Sequence, residues 1–393
     1  MVHDRNRRPL GSTTAFAWPD LDRHEEIDDV TRALELFQDA AATVPAYRDF
    51  LSTHGLDPAT IRTAEQFAGI PPLCRDTYQD RYPLPQLCRG GRLDGCDMVA
   101  VSANASGQST AWPRSVLDEM VVSQRFEQVM QGSFQADRRR TLAVVGFAMG
   151  SCVSGMYTAA CWRHLTTLGY PLTIATPGAN VAEILRVVTE LGPHFEQVVL
   201  AGCPSFVSLL VAAGAEQGLD WPRYSVRLML AGEPVDEEWR DQVCRTVGMT
   251  DPTVDSAWMY GTDDVGVLGN ETPLSIAIRR FLAGHPPAAR ELFGTGRLPT
   301  LVQYDPTTRY LEVQGGRLLV SYDGEVPLIR YHLGATGGIV PYHQMLDFCR
   351  EWNFDPSAAL RPTQATLPNG RGTPPRGLAP LPFVYVCQPT ITS

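Results

Sequence analysis

The chain has 393 residues, a formal net charge of −10 and 44% apolar residues. That length accommodates two or three structural units, and the acidic balance disfavours nucleic acid and anionic membranes as partners. No run of about 18 apolar residues is present to span a membrane, and the charged stretch Met1 to Pro9 lacks the apolar core of a secretory signal. The nine cysteines are scattered without paired spacing, which predicts free thiols in a reducing cytoplasm rather than disulfides or a zinc site. All 33 basic residues are arginine, so chemistry that needs a side-chain ammonium has no donor on this chain.

Residues 1–24 read as a flexible arm. From Glu25 to Thr43 the apolar positions Ile27, Val30, Leu34, Phe37 and Ala41 recur at helical spacing, and Pro45 is expected to end that helix. Asp57-Pro58 opens a short helix, and proline pairs punctuate an irregular stretch to about Asp97. A short strand, Val99 to Val101, runs into the small polar loop Ser102 to Thr110, which includes Ser106 and Gly107. Such loops wrap phosphates through backbone N–H groups, or are plain surface turns. Leu117 to Gln131 reads as a helix and Thr141 to Phe147 as a central parallel strand. Helix then strand follow at Met156–Leu168 and Leu172–Ala175. Asn180 caps a helix to Leu191, and a strand at Val198–Leu200 precedes a helix capped by Ser205. A strand at Val226–Leu230 and a helix from Glu237 to Val247 complete the alternation. The spacing over 141–262 suits βαβ units around a parallel sheet. Beyond it lie a hairpin, Tyr310 to Val320 with Gly315-Gly316 at its turn, and strands at Pro327–Tyr331 and Pro382–Val386. Asp355 to Pro382, rich in Pro, Gly and Arg, reads as a mobile loop.

The chain's candidate site centres on Met259-Tyr260-Gly261-Thr262-Asp263-Asp264, where a buried strand breaks at a glycine. Ligands of α/β proteins sit beyond the carboxyl ends of the strands. Here an aromatic ring can stack on a base, a hydroxyl can reach a phosphate and a carboxylate can hold Mg²⁺. Adjacent Asp263 and Asp264 would suit proton transfer if they shared a dry site, although neighbours on an extended strand point to opposite faces. His332 is the histidine placed to touch a ligand.

Several segments in order resemble the adenylate-forming (ANL) superfamily, specifically its phenylacetate–CoA ligase-like branch. They are Val44-Pro45-Ala46-Tyr47-Arg48 with Asp57-Pro58, the loop Ser102 to Arg114, Ala231-Gly232-Glu233-Pro234, Tyr260 to Asp264, and Pro327 to Gly334. The resemblance covers roughly residues 25–386. It implies a helical lead-in over 25–98, an α/β core over 99–262, a second α/β and β-rich part over 263–386, and a tail at 387–393. The fold implied is the ligases' large α/β domain, with two doubly wound subdomains and a smaller β-rich one, the chain ending where the small C-terminal domain should begin. It further implies nucleotide contacts at Ser102, Ser106, Gly107, Gly232, Glu233, Pro234, Tyr260, Gly261 and Thr262, and a metal at Asp264. An apolar acyl pocket is implied around Phe147, Ala148, Met149, Gly150 and Trp258. The reaction would join a carboxylic acid to ATP as an acyl-adenylate, then pass the acyl group to coenzyme A or an amine.

This sequence departs from that pattern. There is no lysine, Ala335 stands where an aspartate holds the ribose, Asn104, Ala103 and Ala105 degrade the phosphate loop, and Asp264 replaces a glutamate. Mg²⁺ and ATP or AMP are therefore weakened expectations. The expected function is a repurposed ligase-like protein of small-molecule biosynthesis that binds a carboxylate or acyl substrate without adenylating it. The alternative is an active adenylating domain whose lysine comes from a partner protein, and the third reading is a non-catalytic binding or scaffold protein, or a homodimer.

Overall fold

The computed structural model describes residues 29–103, 109–150, 153–360 and 380–387. The whole expected arm, the tail after Cys387, the loop centre with Ser106 and Gly107, and residues 361–379 of the expected long loop lie outside them.

Among the described residues, eleven strands form one mixed sheet. Its parallel half holds β3 (Thr141–Val145), β4 (Leu172–Ala175), β5 (Gln197–Gly202), β6 (Val226–Ala231) and β7 (Ser256–Thr262), in the order β4-β3-β5-β6-β7. β3 and β5 are buried throughout, which explains their continuous apolar sequences, whereas β4 at the edge is half-exposed. The antiparallel half continues from β7 through β8 (Gly266–Asn270), β9 (Thr300–Tyr304), β13 (Phe383–Cys387), β12 (Leu328–Val340), β11 (Arg317–Tyr322) and β10 (Tyr310–Gln314). A separate hairpin, β1 (Met98–Ala103) with β2 (Ser109–Arg114), flanks the polar loop. The expected α/β architecture is thus present, its two halves hydrogen-bonded into one sheet.

Helices α1 (Asp29–Thr43), α2 (Pro45–Thr53), α5 (Val181–Leu191) and α6 (Pro204–Glu216) contribute to one apolar core, and α3 (Val116–Gly132) and α4 (Val153–Thr167) to a second. The sheet strands alternate between the two, Leu142 and Val144 facing the first and Ala143 and Val145 the second. A third core lies under α8 (Pro273–Gly284), α9 (Pro286–Phe293) and α10 (Tyr342–Glu351), while α7 (Glu237–Thr246) follows β6.

Three local expectations need correction. Pro45 does not only end α1: Val44 is extended and Pro45 opens α2, where its missing N–H costs nothing. Ser205 is not a cap, because α6 starts one residue earlier at Pro204 and Ser205 donates its N–H and hydroxyl to Glu233, at 2.9 and 2.6 Å. β12 runs far past Tyr331, and Cys387, expected in the tail, is the last residue of β13, pairing with Thr336. The glycines that hid the extension are required there. A Cβ at Gly337 would lie 2.0 Å from the Tyr385 carbonyl oxygen on β13. Asn180 does cap α5, accepting from the Glu183 N–H at 3.1 Å. None of the eight described cysteines is in a disulfide, and no described helix is long and apolar enough to cross a membrane.

The lead-in segment docks on β12. Leu73 donates its N–H to the Arg330 carbonyl at 3.1 Å and accepts from the His332 N–H at 2.8 Å, a parallel bridge between Leu73 and Tyr331. Arg330, buried and in the left-handed region at φ 49°, locks this junction through Glu312 (3.1 Å) and the Ile70 carbonyl. The junction delivers Arg75, two residues on, to the end of β7.

Candidate functional site

β7 ends in a bulge between Tyr260 and Gly261, and the chain folds back into β8. A Cβ at Gly261 would lie 2.4 Å from the Gly266 carbonyl oxygen, so only glycine lets the two strands approach this closely. Arg114, buried at the end of β2, fixes the turn from below. Its Nη2 donates to the carbonyls of Asp263 (2.6 Å) and Asp264 (3.2 Å).

Asp264 faces inward, 14% exposed, and both its oxygens are occupied. Arg75 Nη2 donates to Oδ1 at 2.6 Å and the Tyr331 hydroxyl donates to Oδ2. The Arg75 guanidinium also lies 5.5 Å from the centre of the Trp112 ring. Burial, then the Asp264 charge, pushes the Tyr331 phenol well above its ordinary value, so it stays a donor. Burial works against the Arg75 charge, but Asp264 outweighs it and raises its pKa. Asp263 is exposed, and its carboxyl is raised first by partial desolvation and then by Asp264, against the lowering pull of Arg75 and Arg114. The two aspartates are thus neighbours in chain and field, with Asp264 committed to a cation.

Beside this turn lies an apolar cavity of about 140 Å³. Phe147, Tyr157, Met229, Met259 and Val267 form its walls, and Gly232, Thr262 and Asp263 reach its mouth. Thr262 Oγ1 is buried and makes no hydrogen bond among the described residues. Buried hydroxyls are ordinarily hydrogen-bonded, to protein or to ordered water. The volume is close to the cavity of about 150 Å³ that encloses a benzene molecule.

The implied pocket is therefore partly reassigned. Phe147 lines the cavity, but Trp258 does not. Side chains alternate along β7, so Met259 points into the cavity while Trp258 and Tyr260 share the opposite face, their rings 5.8 Å apart and tilted by 37°. Burial lifts the Tyr260 phenol to about 12. Ala148 and Gly150 are exposed, and Met149 turns aside to pack on Gly178 and Gly155. Glu233 is held by Ser205, between exposed Gly232 and Pro234. His332 is absent from the cavity walls. It follows Tyr331 on β12, and burial and Arg317 lower its pKa. Ser102 lies in β1 opposite Thr110, at the base of the polar loop. Sequence reasoning missed Arg75 and Tyr157, gave Arg114 no role of its own, and named Met259 in the turn without assigning it to the pocket. The adjacency of Arg114 to the Trp-Pro segment was visible, but Arg75 lies 189 residues from its partner.

Mg²⁺ does not fit this arrangement. It is normally held by one or two carboxylates together with substrate phosphates. The carboxylate implied for it already carries a guanidinium and a phenol, and no cluster of three metal-ligating side chains exists among the described residues. Ala335, at the position where the resemblance leads one to expect a ribose-binding carboxylate, is buried in the first apolar core.

These elements build the fold of the large N-terminal domain of the adenylate-forming acid–CoA ligases. Among solved structures the chain is similar to 2-hydroxyisobutyryl-CoA ligase in complex with 2-HIB-AMP and CoA in the thioesterification state. The TM-score is 0.61 at 15% identity over 82% of this chain and 65% of that one. It is likewise similar to an open conformation of that ligase, also with 2-HIB-AMP and CoA, with a TM-score of 0.56 at 15% identity over 79% and 69% of the two chains. A post-adenylation state of the same ligase gives 0.57 at 14% identity over 80% of this chain and 63% of that one. No protein-family model and no curated protein matches the sequence.

Proposed function

We propose that this chain binds a small acyl compound in the cavity beside β7 and acts on it without forming an adenylate. The observation that carries the reading is the state of Asp264, whose two oxygens are spent on Arg75 and Tyr331. An arginine cannot give up its proton at physiological pH, so the charge a divalent cation would supply is already present and fixed. Buried Ala335 supports the same reading, because it leaves the ribose hydroxyls of a nucleotide no carboxylate to bond.

The cavity supports an occupant with a short branched chain or one aromatic ring. Thr262 Oγ1 offers its hydroxyl to the occupant's carbonyl, and exposed Asp263 at the mouth is the group available to move a proton. A carboxylate at the mouth repels a free acid, which favours an uncharged acyl compound, an ester or thioester, over the acid itself. The adenylating alternative draws on the Glu233 turn, intact on Ser205. It would require Asp264 to leave Arg75.

Calorimetric titration of isobutyric and benzoic thioesters of N-acetylcysteamine, and of the free acids, tests the proposal. Binding of a thioester, weakened by Thr262→Val and abolished by filling the cavity with Met259→Trp, supports it. Binding unchanged in both variants, or none in the parent chain, defeats it.

A further inference from the structure

The cavity beside β7 holds two hydroxyls that the acyl reading above leaves unused, those of Tyr157 and Thr158 on α4. We propose, resting on that reading, that the chain of the acyl occupant carries an uncharged oxygen, a hydroxyl or a ketone, bound by Tyr157 and Thr158.

Both residues line the cavity, and each is only 3% exposed. Neither side chain makes a hydrogen bond among the described residues, and neither oxygen is wholly enclosed by protein. Their free surface therefore belongs to the cavity they line. For Thr158 this is unusual, because a threonine within a helix can bond back to a carbonyl of the preceding turn. Thr166 and Thr167 on the same helix do so, donating to the Arg163 and His164 carbonyls at 2.7 Å. Tyr157 is located by the β7–β8 turn. A Cβ at Gly266 would lie 3.7 Å from its Cε1 and 3.9 Å from its hydroxyl oxygen. Gly266 pairs with Thr262 across the two strands, so the phenol reaches the end of the cavity where Thr262 stands.

The surroundings decide which chemistry suits these hydroxyls. Burial pushes the Tyr157 phenol well above its ordinary value, with Tyr322, Cys161 and Asp118 adding to the rise and Arg114 opposing it. The phenol therefore stays protonated and donates. No basic residue lines the cavity, so a charged substituent on the occupant would be stranded there. A purely hydrocarbon chain would leave both hydroxyls unpaired against Phe126, Phe147 and Met229, which costs free energy. An uncharged oxygen answers both conditions. It accepts from Tyr157, and Thr158 can donate to a ketone or accept from a hydroxyl.

The test is calorimetric titration of the whole chain with three N-acetylcysteamine thioesters of nearly equal shape, 3-hydroxybutyryl, 3-oxobutyryl and 3-methylbutyryl. A site built to bond an oxygen discriminates against the analogue that lacks it. The proposal predicts that the hydroxy or the oxo compound binds at least about tenfold more tightly than the methyl compound. Preference for the hydroxy compound assigns the site to a hydroxyacyl group, and preference for the oxo compound to a ketoacyl group. Tyr157→Phe, which keeps the ring, should bring the ratio to within about twofold of one and, having lost an unpaired hydroxyl, melt no lower than the parent chain. Thr158→Val should narrow the ratio as well. Equal binding of the three thioesters, tighter binding of the methyl compound, or a preference that survives Tyr157→Phe would overturn the proposal and leave the two hydroxyls to water. In those cases thioester binding itself remains and the acyl reading stands, whereas no binding of any thioester defeats both.

Discussion

Asp264 holds three elements together at one point. Arg75 comes from the lead-in segment, Tyr331 from β12, and Asp264 itself from the β7–β8 turn. Asp264→Asn keeps the shape but removes the charge, and hydrogen bonds to charged groups are worth about 1.5–3 kcal/mol. The variant should lose stability of that order in denaturant titration, with its midpoint lowered and its slope unchanged. Asp263 behaves differently because desolvation and its neighbour's charge raise its pKa. The folded state then binds that proton more tightly than the unfolded chain does. Asp263 therefore detracts from stability as pH rises from the ordinary carboxylate range through its raised value. Asp263→Asn should gain Tm relative to the parent chain at neutral pH, with the difference vanishing in acid. A difference that grew in acid would mean the carboxylate is stabilised in the fold.

At the scale of elements, β7 is positioned by a buried ion pair. Arg240 on α7 donates to both oxygens of Glu271, at 2.7 and 2.8 Å, and Glu271 in turn accepts from the Trp258 N–H at 3.0 Å. Arg240→Met would strand a buried carboxylate, at a cost of about 3–5 kcal/mol. Gly261→Ala should separate β7 from β8 and cost about 1–3 kcal/mol, with loss of acyl binding beyond that seen for a surface control. Denaturant titration reads both. The elements most legible in the sequence were those whose burial left a periodic trace. The apolar runs of β3, β5 and β6 and the capped α5 are found where their patterns lie. β12 was cut short because Gly334, Gly337 and Gly338 carry no strand signature; Gly337 and Gly338 answer to the close approach of Tyr385 on β13, distant in sequence, and Gly334 to its φ of +72°. The resemblance implied Trp258 for the cavity, but strand alternation puts it with Tyr260 on the far face. The turn at Gly261–Asp264 was legible as a candidate site. Its occupation by Arg75 was not, since only the folded chain brings residue 75 to residue 264.

For the whole molecule, one continuous sheet carries both halves of the ligase-like fold and puts the apolar cavity at the end of its parallel half. Fold does not fix activity, and the chemistry rests on the groups grafted at that edge. Here they are a fixed guanidinium, a free carboxyl, a lone hydroxyl and, where the resemblance implies a ribose-binding carboxylate, Ala335. The central claim is that this edge no longer serves a nucleotide, and calorimetric titration of Mg²⁺–ATP and of AMP tests it most directly. The account predicts no binding up to millimolar nucleotide, with Mg²⁺ making no difference. Micromolar binding of either nucleotide would contradict it, because Asp264 would then have to exchange Arg75 for a metal and Ala335 would have to be compensated elsewhere.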